Sequence, residues 1–280
     1  FFKQKTAYEI SLGLVGSEMC IRDRIRVGQI PYLNSIPFYS DLSCPEFELV
    51  SLVPRVMGEC AREGQLDAGL LSLVDCLKLW DEFEPVGGMG LSIKGRVGSV
   101  ALYSRVPMAE LHGKVIGITT ETATSVNLLR ILLEKKEKVV PLEYSALDTV
   151  DTCDAFLLIG DQALQKPEAG MAFPYYFDLA WEWLQWKNLP FVFALWMVRR
   201  DVDTLYKAKL AEKLEKSLKM NIGEQFESIK NEATSDTMSA DDVVQYLGRF
   251  RYLLEPEDWA AVNAFQQAYQ TLEIKEELVK

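Results

Sequence analysis

The chain has 280 residues, 49% hydrophobic and 25% charged, the balance of an ordinary globular protein with room for two modest domains. A net charge of −11 argues against nucleic acid as a partner, and no apolar run approaches the ~18 residues a membrane span needs. The cysteines (Cys20, Cys44, Cys60, Cys76, Cys153) are odd in number and lack CxxC spacing. They read as reduced thiols of a cytoplasmic protein and not as a metal or disulfide framework.

Residues 1–24 show none of the marks of a signal peptide: no basic start, no apolar centre of sufficient length, no small-residue cleavage site. Val15-Gly-Ser-Glu-Met-Cys-Ile-Arg-Asp23 back-translates onto a sequencing-library transposon end. The segment is therefore expected to be a non-native or disordered extension, with the fold beginning at Ile25.

Residues 25–38, I-R-V-G-Q-I-P-Y-L-N-S-I-P-F, predict a strand stopping at Pro31, then a polar elbow, with Pro37 in a first helical turn. In an open α/β sheet, strand carboxyl ends and helix N-termini converge on such an edge, and ligands sit there. Asn34 and Ser35 lie on this elbow, where a simple helix cap is the alternative use for them. A second strand is expected over 47–53, and Pro54 starts a helix with Val56, Met57 and Cys60 inward. A third strand over 67–72 runs into Ser72 and a helix over 74–80. Strand–helix alternation at this pitch implies parallel pairing.

The glycine-rich stretch 85–94 continues through Gly95-Arg-Val-Gly98-Ser99. It holds neither GxGxxG nor GxxxxGK[ST], so it is not a phosphate loop. It reads as an interdomain crossing where backbone approaches a ligand, or as a plain loop. A strand over 114–118 precedes T-T-E-T-A-T-S (119–125), whose hydroxyls exceed the needs of one N-cap. This is either a solvated loop or an anion-binding helix N-terminus, followed by a helix to about 136. Strands are expected over 139–144 and 153–159, the latter ending in Gly160-Asp161. An aromatic-dense helix is expected over 173–186 and a buried strand over 189–198. Helices follow, with Ser239 as an N-cap, Pro256 in a first turn, and a stripe of Trp259, Val262 and Phe265.

Two α/β units with a helical return predict two lobes, 25–98 plus 191–280 and 99–190, hinged by two crossings around a small molecule. The fold class expected is α/β: a two-lobed, type II periplasmic-binding-protein-like fold with an interlobe cleft and a helical C-terminal part.

Five motifs occur in order: Y-L-N-S-I-P (32–37), L-D-A-G-L-L-S-L-V (66–74), T-S-V-N-L (124–128), D-A-F-L-L-I-G-D-Q-A-L (154–164) and L-P-F-V-F-A-L-W-M-V-R-R-D (189–201). Through them the chain resembles, from Ile25 onward, the chorismate dehydratases of the futalosine route to menaquinone. The resemblance implies conversion of chorismate to 3-[(1-carboxyvinyl)oxy]benzoate, with no metal and no organic cofactor. It implies that Asn34 and Ser99 are the catalytic polar pair orienting the reacting ring and its hydroxyl. Ser35, Ser72, Thr124, Ser125 and Asp161 are the implied substrate-binding residues, Asp161 having an N-cap as its alternative. The proton acceptor is left open between a side chain and the substrate's own enolpyruvyl carboxylate.

Two other readings are set against this one. The sister enzyme, 1,4-dihydroxy-6-naphthoate synthase, is expected to use a histidine base and a C-P-N-D-T type opening. This chain has one histidine, His112, in a Leu-His-Gly turn. A solute-binding protein would close the same cleft on a carboxylate without catalysis, and fold alone does not separate the two.

Overall fold

The two most uniformly apolar strands become the middles of two separate sheets. The computed structural model describes residues 24–119, 122–147, 150–165, 172–224, 226–230 and 238–279. The extension expected before Arg24, and Thr120 and Glu121 of the hydroxyl-rich stretch, lie outside the described residues. The strands are β1 (Ile25–Gln29), β2 (Phe47–Ser51), β3 (Ala68–Ser72), β4 (Phe83–Ile93), β5 (Val100–Ser104) and β6 (Val115–Ile118). They continue with β7 (Glu143–Ala146), β8 (Ala155–Ile159), β9 (Tyr175–Asp178), β10 (Phe191–Arg199) and β11 (Phe250–Leu253). The helices are α1 (Pro54–Arg62), α2 (Leu73–Lys78), α3 (Thr124–Ile131), α4 (Gly160–Leu164), α5 (Leu179–Lys187), α6 (Thr204–Gly223), α7 (Glu227–Lys230), α8 (Ala240–Leu247) and α9 (Pro256–Val279).

One sheet has the order β11-β4-β10-β3-β1-β2, and the other β7-β6-β8-β5-β9. The chain thus leaves the first sheet after β4, builds the whole of the second, and returns as β10 between β3 and β4. β1 runs parallel to β2 and β3, and β6 parallel to β7 and β8, as the strand–helix alternation requires. The crossing strands β5 and β10 run antiparallel to their neighbours. β3 and β8 are buried at every position, which explains why they read as continuous apolar runs. The two-lobed α/β architecture expected from the sequence is the one observed.

The glycine-rich stretch is a strand, β4, which decides between the crossing and the plain loop in favour of extended backbone. Its Gly90 has no space for a side chain, since a Cβ would stand 2.5 Å from the Ala194 carbonyl of β10. Three other local expectations are corrected. The helix after 124 does not run regularly to 136: α3 gives way to a π-helical turn, Leu132–Glu137, closed by Lys138 in the left-handed region. This delays β7 to Glu143. The aromatic segment begins as the edge strand β9, because Tyr175, Tyr176 and Phe177 suit a pleated surface and pair with β5. Only at Asp178, whose carboxylate accepts from Trp181 N at 3.1 Å, does a helix start. Finally β11, whose Phe250 and Tyr252 alternate inward, extends the first sheet beside β4.

The sheets share one apolar core where β10, α5 and α9 meet. Trp183, Phe191 and Phe265 pack edge to face there, and the Trp183 indole donates to the Pro190 carbonyl at 3.0 Å. Asp258, in the first turn of α9 and fully buried, accepts from Ser92 of β4, from Arg251 at 2.6 Å and from Glu255 N at 2.8 Å. No helix among the described residues is long and apolar enough to cross a membrane.

Candidate active site

A cavity of about 570 Å³, counting the space open at its mouth, lies where the two sheets face each other. The first sheet's side contributes Ile30, Tyr32, Asn34, Ser72 and Phe193, and the crossing segment Val97 and Ser99. The second contributes Thr122, Ala123, Thr124, Ser125 and Gly160.

The opening elbow is a 3₁₀ turn, Leu33–Phe38. It is locked by Ser35, whose buried hydroxyl lies 2.7 Å from both the Ile30 and Tyr32 carbonyls, and by Ile30 N donating to the Tyr39 hydroxyl at 2.9 Å. Ser35 is therefore occupied within the elbow and does not line the cavity. Neither Asn34 nor Ser35 caps the turn; Tyr32 holds that place, without a side-chain hydrogen bond. Asn34 instead lines the cavity, with a buried Oδ1 that has no hydrogen-bond partner. Such an atom costs roughly 1–3 kcal/mol unless something donates to it.

Across the cavity, α3 begins with Ala123 at its N-cap, a residue with no polar side chain to cap the first amides. Thr122, just before it, has a buried Oγ1 that also lacks a partner. The positive end of the helix dipole and a free hydroxyl thus meet at one wall, an arrangement that receives a carboxylate. Thr124 spans the lobes, its Oγ1 accepting from Val74 N of α2 at 3.2 Å. Ser125 lies beside it on the cavity wall.

Ser72 lines the cavity, but its hydrogen goes to Asp75 Oδ2 at 2.6 Å, and its oxygen caps α2 by accepting from Asp75 N at 3.3 Å. Burial raises the pKa of the Asp75 carboxyl above the usual carboxylate range, against the lowering effect of that hydrogen bond. Asp161 lies off the cavity wall, where it accepts from Leu33 N at 3.5 Å and so ties α4 to the elbow.

Ser99 sits on the crossing between sheets. Its carbonyl accepts from Gly160 N at 2.8 Å, and Gly98 N donates to the Asp178 carboxylate at 2.7 Å. Burial raises the pKa of Asp178 even though it accepts from several backbone amides. The Ser99 Oγ accepts from the Tyr246 hydroxyl at 2.8 Å, which leaves its own hydrogen for the cavity. Tyr246 and Tyr32 were not singled out from sequence. Their signals, a buried helical stripe and an aromatic at the elbow, look like core packing until the fold brings them here.

Among the described lining residues there is no carboxylate, imidazole, amine, guanidinium or thiol. Nor do the described residues contain a group of three or more His, Cys, Asp or Glu side chains placed to hold a metal. His112 is exposed in its turn, its Nδ1 accepting from Val140 N at 3.3 Å. What the cavity offers is a hydroxyl donor, an amide acceptor, and helix-end dipoles in a largely apolar box. Chemically, such a set can receive an anion and hydrogen-bond a hydroxyl.

Two sheets exchanged by two crossings, with strand ends and helix starts facing a central cavity, define a periplasmic-binding-protein-like fold. A solved protein from Archaeoglobus fulgidus superposes with a TM-score of 0.72 at 16% identity, over 90% of this chain and 98% of that one. The periplasmic aliphatic sulphonate-binding protein of Escherichia coli does so with 0.60 at 14% identity, over 92% and 94%. At these identities the likeness is one of fold alone. In sequence, residues 25–271 match the family described as menaquinone biosynthesis. The chorismate dehydratase of Thermus thermophilus is 31% identical over 255 residues, 85% of this chain and 92% of that protein. The chain belongs to the menaquinone biosynthesis family.

Proposed function

We propose that the protein is a chorismate dehydratase, a hydro-lyase acting in menaquinone biosynthesis. It would convert chorismate to 3-[(1-carboxyvinyl)oxy]benzoate and water. The C3–H and C4–O bonds break, the electron pair of the first completes an aromatic ring, and the proton and hydroxide leave as water. The reaction is redox-neutral, and aromatisation supplies its driving force.

The observation that supports this reading is that Asn34 and Ser99 both line the cavity. The substrate's C4 hydroxyl donates to the orphan Asn34 Oδ1 while its oxygen accepts from Ser99, so the bond that must break is both oriented and polarised. The N-terminal end of α3, with Thr122, Thr124 and Ser125, takes a carboxylate. This compensates an anionic ligand without a lysine or arginine in the wall. Ser72, through α2, and Asp161, through the elbow, hold the frame from which these groups project. Lobes of 25–98 plus 191–280 and 99–190, and a cytoplasmic setting, belong to the same reading.

The naphthoate synthase reading lacks its base here, since His112 is exposed and outside the lining. Purified protein incubated with chorismate, without added metal or nucleotide, is expected to form an aromatic enolpyruvyl ether, followed by proton NMR. Chorismate that is bound yet unchanged after hours would overturn the proposal in favour of a receptor.

A further inference from the structure

Behind the cavity wall sits a side chain that this chemistry does not yet use. Tyr246 lies on α8, whose start is closed by a reciprocal capping box between Ser239 and Asp242. The helix turns Val243, Tyr246 and Leu247 inward, and Phe250 meets the Tyr246 ring edge-on at 5.2 Å. Packing therefore fixes where the hydroxyl stands. It donates to Ser99 Oγ at 2.8 Å, and the Asn34 side chain stands near enough to the phenol to lower its pKa slightly against the effect of burial. Tyr246 itself does not line the cavity; the two residues it touches do.

One phenol can set the direction of both. It has a single hydrogen, and here that hydrogen goes to Ser99. The serine oxygen receives, so its own hydrogen turns away toward the cavity. The phenol oxygen that remains can only accept, so an Asn34 amide turned toward it presents Nδ2. Oδ1, the other end of that amide, is the buried atom found without a partner. Burial pushes the Tyr246 hydroxyl well above the usual tyrosine range, and the nearby Asp161 charge acts in the same direction. The group stays protonated and keeps donating.

We infer that Tyr246 is a positioning residue that holds Ser99 as a donor and Asn34 as an acceptor toward the substrate's C4 hydroxyl, touching no reacting atom itself. The inference rests on the dehydratase reading. Without the phenol, the Ser99 hydroxyl can rotate and the Asn34 amide can flip, so productive orientations become a minority of those populated.

Tyr246→Phe removes one oxygen and keeps the ring. The expected result is a kcat for chorismate reduced about 10- to 100-fold, with KM within about twofold of wild type. The melting temperature should be nearly unchanged. In a Ser99→Ala background the same substitution should cost at least about threefold less, because part of its effect runs through Ser99. A wild-type kcat in Tyr246→Phe, an equal loss in both backgrounds, or a loss that tracks a lowered melting temperature would each overturn the inference. The wild-type control separates the two proposals. If wild type makes no aromatic product, the dehydratase reading falls and takes this role with it. If wild type converts chorismate and Tyr246→Phe does so equally well, only the role of Tyr246 falls.

Discussion

Gly160 is where a single methyl group would test how the two lobes meet. It follows β8, holds φ at +59°, and donates its N–H to the Ser99 carbonyl at 2.8 Å. A Cβ there would stand 3.3 Å from three atoms of the Tyr32 ring, which reaches over from the opening elbow. Gly160→Ala therefore has two costs. The left-handed backbone conformation costs an L-residue about 1–2 kcal/mol. The close contact forces the half-buried Tyr32 ring to shift by a few tenths of an ångström, which adds less than about 1 kcal/mol. A total of about 1–2.5 kcal/mol lowers the melting temperature of a chain this size by about 2–10 °C. Because Tyr32 and Gly160 both line the cavity, KM for chorismate should rise about 3- to 10-fold, and kcat should change less.

A cycle with Tyr32→Ala, read by calorimetry and by initial rates, separates the two costs. Removing the ring should relieve the contact and leave the backbone strain, so Gly160→Ala should still cost about 1 kcal/mol in that background. The reasoning fails if Gly160→Ala melts with wild type. It fails equally if the cost vanishes altogether once Tyr32 is truncated, for then no strain resides in the backbone.

Asn34→Ala and Ser99→Ala should each lower kcat by about 100-fold or more, and wild-type rates in both would return the elbow to a purely structural role. Asn34→Ala should melt as wild type does, while Ser99→Ala should cost about 1–3 kcal/mol because it leaves the buried Tyr246 hydroxyl without its acceptor. Asp258→Ala should cost about 1–3 kcal/mol by urea unfolding, because it leaves the buried Ser92 hydroxyl and the Glu255 N–H without their acceptor while Arg251 keeps Glu255 as a partner; a cost under about 0.5 kcal/mol would refute the anchoring role. The raised pKa of Asp178 means that the folded state binds its proton more readily than the unfolded chain does. Its contribution to stability is therefore largest in acid. It declines as pH rises from the ordinary carboxylate range through the raised folded value, then stays level. Asp178→Asn should abolish that decline. Taking the difference between wild type and variant cancels the same-signed shift of Asp75 and the lowered surface carboxylates Asp41 and Glu46. A difference that grows more favourable to wild type as pH rises would contradict the assignment.

Much of the fold was legible before any coordinates. Pro54, Ser239 and Pro256 start helices because their local chemistry suits a first turn or a cap and nothing else nearby competes. The strand over 189–198 was read as buried from its unbroken apolar run, and β10 sits inside the first sheet between β3 and β4. The misreadings fall where local preference is ambiguous and a partner strand decides. Tyr175–Asp178 is aromatic enough for strand or helix, and pairing with β5 settles it. The glycines of β4 allow a loop as well as a crossing strand until β10 is seen to need the room at Gly90.

The site divides in the same way. Asn34 and the Thr124–Ser125 helix start, which line the cavity, lie at strand-to-helix junctions that the one-dimensional pattern marks, whereas Ser99 was singled out by the family resemblance. That Ser35 turns inward to its own elbow, and that Ser72 gives its hydrogen to Asp75, are matters of rotamer and short-range geometry. Tyr246 could not be read at all. It lies 147 residues from Ser99 on a helix whose stripe looks like any other core face. The sequence alone determined most of the strands and helices and where they start, because those follow from local periodicity and capping, while edge strands such as β9 and β11 waited on their partners. Only the tertiary structure decided which ends meet, since a hydrogen bond is short and directional and no residue's chemistry names its distant partner.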